Sequence, residues 1–355
     1  MSELAKLDSA QPPAPRPLLQ DLRRMIEEVR QGVAAAVNAA LTLLYWRVGK
    51  RINEEILKGE RAEYGKEILA TVSQALVRDY GKGFSYSALT RMVKLSEAFP
   101  DPQIVATLSQ TLSWSHFCEL LPLDQPLQRD FYAELCRIER WSVRTLRQKI
   151  GSMLYERTAL SKKPEALARA ELDALRDEDK LTPDLVFRDP YFLDFLGLTG
   201  AFQEKDLESA ILREIEAFML ELGVGFAFVA RQQRITLDGD DFYLDLLFYH
   251  RRLRRLVAVE LKLDRFRPEH KGQMELYLRW LDKYERQPGE EAPIGLILCA
   301  GKKQEQIELL ELDSSGIHVA EYLVELPPKE VLRERLHRAV MLARERAGGV
   351  LGEGE

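Results

Sequence analysis

Two neighbouring segments decide how this chain is read. The first is Phe242-Tyr243-Leu244-Asp245-Leu246-Leu247-Phe248-Tyr249-His250. The second is Leu256-Val257-Ala258-Val259-Glu260-Leu261-Lys262-Leu263, reached through Arg251-Arg252-Leu253-Arg254-Arg255. Both are short, apolar and rich in aromatic or β-branched residues, which predicts strands over 242–249 and 256–263. Successive strand side chains point to opposite faces. Phe242, Leu244, Leu246 and Phe248 should then share one face, and Tyr243, Asp245, Leu247 and Tyr249 the other. On the second strand Glu260 and Lys262 point the same way. If the strands pair as a hairpin through the arginine-rich link, Asp245 and Glu260 converge. Two carboxylates together in an apolar setting repel and resist burial. A divalent cation resolves that conflict, because Mg²⁺ takes oxygen ligands and shares them with water and phosphate. With Lys262 to orient water or hold charge, the three residues suffice to hydrolyse a phosphodiester.

Working outward, Leu207, Ile211, Ile215, Phe218 and Leu222 mark an amphipathic helix ended by Gly223, followed by a strand over 226–235. After the hairpin come a helix with Met274, Tyr277, Leu278 and Leu281, a wholly apolar strand over 294–299, a strand near 316–323 and a last helix from 329. A mixed sheet flanked by helices is the natural solution. Upstream the pattern is helical from Leu18, with further helices over 64–80, 86–99, 114–121, 127–138 and 143–156, and no strand before about 185. The expected organisation is a disordered proline-rich tail (1–17) and a helical N-terminal domain (18–158), with the outline of a helix-turn-helix over 64–99. A charged helical connector (159–182), an α/β domain (183–328) and a C-terminal helix and tail (329–355) follow.

Composition bounds the function. The chain has 355 residues, 46% hydrophobic and 30% charged, which fits a folded two-domain protein. It has no long uninterrupted apolar run and no secretory signal, so no membrane and a cytoplasmic location are expected. Three widely spaced cysteines fit buried reduced thiols. The net charge of -6 is unevenly spread: +3 over 1–150, -9 over 151–250, +3 over 251–300 and -3 over 301–355. An acidic block beside a basic one fits a metal-binding carboxylate site next to a phosphate-binding surface, and equally fits solvated helices.

Asp245, then Glu260-Leu261-Lys262, resembles the PD-(D/E)XK nuclease motif, with Leu244 where the motif has proline. The flanks, including Phe242 to His250 and Gly272-Gln273-Met274, are similar to the YhcG branch. Leu112-Ser113-Trp114-Ser115-His116 and Trp141-Ser142-Val143-Arg144 resemble the helical domain of unknown function that precedes that nuclease. The resemblance implies a restriction-endonuclease-like sheet and Mg²⁺, or Mn²⁺ in its place, held by Asp245, Glu260 and the Leu261 carbonyl. It implies a nucleic-acid substrate, DNA ahead of RNA, and a bacterial role in DNA processing or defence against foreign DNA. Gln273 and Tyr277, four apart on one helix, are similar to the Gln-x-x-x-Tyr element of RecB-like nucleases. A first-helix glutamate is also expected: Glu208 and Glu214 both flank the apolar stripe, and the flanking pattern favours Glu208.

For nucleic acid, the candidates are Arg231 on the strand before the hairpin, His250, Arg251 and Arg252 at the link, Tyr277, and Arg91 and Lys94 on the second helix of the helix-turn-helix outline. A homodimer would serve the cutting of both strands of a duplex. The residues leave other readings open: a retired nuclease fold that binds or scaffolds nucleic acid, a helix-turn-helix regulator, or an enzyme acting on a small phosphoester.

Overall fold

The alanine-rich run after Leu18 folds as one long helix, α1 (Arg16–Lys58). It opens with Pro17 in the first turn, where a missing N–H costs nothing. The structure, a computed structural model, describes residues 16–58 and 62–352. The tail expected over 1–17 therefore lies outside the described residues up to position 15, and Arg16 and Pro17 already belong to α1. Next come α2 (Ala62–Tyr80), α3 (Tyr86–Ala98), α4 (Pro102–Ser109), which the pattern did not predict, and α5 (Trp114–Leu120). Gly49 lets α1 cross α3 closely, since a Cβ there would lie 1.8 Å from the Met92 carbonyl oxygen. The Trp46 indole donates to the Phe99 carbonyl at 2.8 Å, and the Asn38 amide donates to the carbonyls of Ser109 and Leu112.

Two compact units result, 1–126 and 127–355. This geometric division falls inside the helical stretch expected over 18–158. Helices α6 (Pro126–Glu139), α7 (Val143–Gly151), α8 (Leu154–Arg157), α9 (Ala159–Lys162) and α10 (Glu165–Glu178) fold with the second unit. Buried charge pairs explain this. Glu134 of α6 accepts from Arg137 and from Arg176 of α10, and Arg157 donates to Glu221, far along the chain. Alternation and charge runs give no sign of such long-range pairs.

The second unit continues through α11 (Pro183–Val186), β1 (Tyr191–Phe192), α12 (Glu204–Arg213), α13 (Ile215–Leu222), β2 (Phe226–Leu237), β3 (Asp240–His250) and β4 (Arg255–Arg265). Then follow α14 (Pro268–Tyr284), β5 (Ile294–Gly301), α15 (Gln304–Leu309), β6 (Ile317–Leu323) and α16 (Lys329–Gly352). The sheet has six strands in the order β1-β6-β5-β4-β3-β2. β2, β3 and β4 are antiparallel, while β4, β5, β6 and β1 run parallel. Asp238 and Gly239, at φ 51° and 95°, form the two-residue turn that joins β2 to β3, the geometry that matches strand twist. Leu207 and Ile211 of α12 cover one face of the sheet; Met274 and Tyr277 of α14 cover the other.

One alternation is broken. Leu246 and Phe248 pack on the α12 side, whereas Leu244 packs with Leu247 on the α14 side. The expected face shared by Leu244 and Leu246 is thus divided at Asp245. Paired register between β3 and β4 runs from Leu246↔Val259 to His250↔Arg255, so β3 turns over where it leaves β4.

Candidate active site

Asp245 and Glu260 meet at the end of that ladder. The Leu261 N–H donates to Asp245 Oδ2 at 2.9 Å, and the Asp245 N–H donates to Glu260 Oε1 at 3.4 Å. Each acid thus takes a backbone N–H at or beside the other. Glu260 is 3% exposed. Burial, and then the charge of Asp245, push its carboxyl up to about 7 against the opposing pull of Lys262. Burial likewise raises Asp245, offset in part by the Leu261 N–H and by Lys262. Lys262 Nζ lies 3.0 Å from Glu260 Oε2. Burial would lower the lysine, but Glu260 outweighs it and the ammonium is held above its ordinary value.

Of the two glutamates that flank the apolar stripe, Glu208 lies beside this cluster. Glu208 on α12 accepts from the Gln232 amide at 3.0 Å, and the same Nε2 donates to Asp245 Oδ1 at 3.1 Å. Glu208 is raised by burial and then by Asp245. Glu214 stands at the end of α12 beside Arg213. Two residues of this cluster had no role assigned from sequence, though Gln232 stands beside Arg231 as a polar residue near the same strand edge. Gln232 bridges the two acids from a left-handed backbone, φ 45°, inside β2. Such a conformation costs free energy in a non-glycine residue and is found where structure over-determines it. Glu204, one turn before Glu208, accepts from the Leu263 N–H at 3.4 Å. Its signal was the i, i+4 spacing with Glu208.

Other candidates divide. Gln273 and Tyr277 do share a face of α14: the Gln273 amide donates to the Tyr277 hydroxyl at 2.7 Å, and that hydroxyl donates to the Tyr243 carbonyl at 3.2 Å. Tyr277 is buried, so it fastens α14 to β3 and does not reach nucleic acid as expected. His250 is likewise corrected. It is fully buried, edge-on to Phe226, with Nδ1 accepting from the Leu253 N–H, and burial lowers its ring to about 4. A neutral, enclosed imidazole is no phosphate contact. Arg251 and Arg252 are exposed, but the link lies five residues along each strand from the acids, about 16 Å at strand rise. Arg252 also donates to the Ile138 carbonyl at 2.8 Å. Arg231 is exposed on β2 and lowers Glu208. In the first unit Arg91 and Lys94 are exposed on α3, opposite its buried Leu89, Met92 and Leu95, and Arg91 also contacts Cys118.

The donor set suits a hard divalent cation: oxygen ligands, like charges close together, and carboxyls held above their ordinary range by burial and then by one another's charge. Among the described residues no group of three or more His, Cys, Asp and Glu is gathered to hold a metal ion unaided. Asp245, Glu260 and the Leu261 carbonyl would therefore supply part of a coordination shell, water and phosphate the rest. Also among the described residues, no helix is long and apolar enough to cross a membrane.

Known proteins share these features. Residues 184–337 match the family described as the YhcG PDDEXK nuclease domain, and residues 21–157 the DUF1016 N-terminal domain. A relative from Escherichia coli (strain K12), "Putative nuclease YhcG", is 34% identical over 346 residues, covering 88% of this chain and 91% of its own length. Two solved structures, a repair endonuclease from Pyrococcus abyssi and EndoMS in apo form, are 21% and 18% identical. Each covers 37% of this chain, and 50% and 49% of its own, at a TM-score of 0.25, too low a likeness to bear on function.

Proposed function

The chain belongs to the YhcG family of PDDEXK nucleases, and from that premise we propose that it hydrolyses phosphodiester bonds in DNA with a divalent cation, at a centre made by Asp245, Glu260 and Lys262. The observation that carries the reading is the reciprocal pair of hydrogen bonds that draws the buried Glu260 and the half-buried Asp245 to one point, with a lysine 3.0 Å from Glu260. Mg²⁺ or Mn²⁺, held by Asp245, Glu260 and the Leu261 carbonyl, would supply positive charge to a phosphate oxygen and make nearby water more acidic.

The chain's own residues do the rest. Lys262, kept charged by Glu260, orients the attacking water and balances charge on the phosphate as it builds. Gln232 holds Asp245 and Glu208 apart from each other's repulsion by donating to both. Gln273 steadies Tyr277, and through it the β3 backbone beside Asp245. Arg231 offers a phosphate contact at the rim, and Arg91 and Lys94 add a basic helix face in the first unit. Homodimerisation would let two such centres act on both strands of a duplex.

The test is incubation of the purified protein with plasmid, linear duplex, single-stranded and branched DNA, and RNA, with Mg²⁺, Mn²⁺ or chelator. Asp245→Ala and Lys262→Ala run alongside. Cation-dependent cleavage of DNA that both substitutions abolish is the expected result. Cleavage that persists in the variants would remove this assignment, and binding without cleavage would favour a retired site.

A further inference from the structure

We propose that α1 is a self-association element: its apolar face over residues 22–44 pairs, antiparallel, with the same face of a second copy of this chain. This stands on α1 alone and is independent of the nuclease reading.

The helix has two opposed apolar faces. Thr42, Trp46 and Gly49 are buried where α1 packs on its neighbours. At about 100° per residue, Leu22, Ile26, Val29, Val33, Val37 and Leu44 fall on the other side. These six are 44% to 67% exposed. Arg23 and Arg30 border the open face on one side, while Arg24 and Glu28 lie on the side of Thr42 and Trp46, away from it. Scattered exposed apolar residues are ordinary, but this is a continuous strip about 33 Å long at helical rise. With Met25 and Leu41 at its margins, the strip leaves on the order of 700 Å² of apolar surface per chain. A symmetrical pair would bury about 1,400 Å², within the range of specific interfaces.

The spacing names the partner as a helix. Positions 22, 26, 29, 33, 36 and 40 alternate steps of four and three, the seam of a left-handed two-helix pairing. The sizes along the seam then choose the direction. Leu22 and Ile26 are large at one end; Ala36 and Ala40 are small, and also exposed, at the other. Reversing one helix sets Leu22 against Ala40 of the second copy, Ile26 against its Ala36, and Val29 against its Val33. Every layer then has similar volume, as close packing requires. A parallel pair would crowd large on large and leave a void between the alanines.

Sedimentation of the full chain tests this, with the expectation of twice the monomer mass of 40.8 kDa. Val29→Asp with Val33→Asp should give a monomer with an unchanged helical circular-dichroism signal, because both side chains are exposed. For direction, Val29→Cys and Val33→Cys should each fail to cross-link alone on mild oxidation, while the double variant cross-links. Cross-linking by either single variant would overturn the antiparallel arrangement. A wild-type monomer at all concentrations would overturn the proposal. So would a dimer seen only after removal of residues 1–15, which would show that segment occupying the face. Recruitment of the wild type to anionic vesicles as a monomer would do the same.

Discussion

Glu260 sets up the most demanding test, because it links the geometry of the acids to folding stability. The unfolded chain ionises this carboxyl near its ordinary 4.5, and the fold near about 7. Between those values the folded state binds the proton that the unfolded state has released. Stability from this group is therefore complete below about pH 4.5 and is lost as pH rises through 7. Moving the midpoint from 4.5 to about 7 corresponds to about 3 kcal/mol. The whole-protein curve would not show it cleanly. His250, lowered to about 4 by burial, loses its proton on folding and gives a contribution that rises with pH across an overlapping window. The comparison must be between wild type and Glu260→Gln, in which His250 is common to both.

The substitution also removes the negative partner of Lys262, an ion pair that strengthens as Glu260 ionises and so forms part of the same slope. Urea unfolding of both proteins, in chelator, at several pH values from about 5 to about 8, gives the difference in unfolding free energy at each. Its slope is the readout: Glu260→Gln should gain about 3 kcal/mol on wild type across the range. Adding Mg²⁺ should restore wild type most at high pH, where both acids are charged, and leave the variant nearly unchanged. A flat difference with pH would refute the crowding of Asp245 against Glu260, whatever the enzyme does to DNA.

Other expectations are simpler to check. Gln232→Gly keeps the left-handed backbone and deletes the amide that bridges Glu208 and Asp245, so the cation concentration for half-maximal cleavage should rise about tenfold with little change in melting temperature. Gln232→Glu, of the same shape, adds a third acid and should do worse; an unaltered cation dependence in both would remove Gln232 from the site. Lys262→Met should lower turnover about 100-fold or more while gel-shift affinity for DNA holds, and equal losses of binding and rate would contradict its role. Gly49→Ala forces α1 away from the Met92 carbonyl and should destabilise the first unit by about 2 kcal/mol or more, read as a lower thermal midpoint.

Much of the architecture was legible because burial leaves a periodic trace. Ile294 to Cys299 announced a central strand, and all of it is buried. Asp245, Glu260 and Lys262 stood out as charges in apolar strands, where only a function or a partner excuses them. His250 and Tyr277 were misjudged because spacing tells which residues share a face but not whether that face is covered; Gln273 and Tyr277 do share theirs. Tyr277 keeps its polar end by bonding the Tyr243 carbonyl, and His250 by accepting from Leu253. Neither bond has a sequence signature. Ion pairs between distant segments, such as Glu134 to Arg176, leave no sequence signature either.

The site itself depends on where a ladder stops, and that is why strand alternation did not show how its parts are joined. A regular antiparallel pair would satisfy the N–H groups of Asp245 and Leu261 with carbonyls. Here the paired register of β3 and β4 ends at Leu246↔Val259, and the side chains of Glu260 and Asp245 accept those N–H groups instead. On the other flank, the residues between the pairs Arg231↔Leu246 and Gln233↔Leu244 are Gln232 and Asp245 themselves. The positive φ at Gln232 turns its amide toward the acids at that level. Period-two reasoning assumes that strands continue unbroken, so it finds Asp245 and Glu260 by their faces yet cannot anticipate the turn of Gln232 that links Asp245 to Glu208. The acids accept backbone N–H groups where the β3–β4 pairing ends, and Gln232 meets Asp245 there from β2, so straightening β2 should disturb Asp245 before it disturbs the core. Gln232→Pro, which the left-handed φ forbids, would be expected to lose cation-dependent stabilisation at temperatures where the far-ultraviolet spectrum is still native.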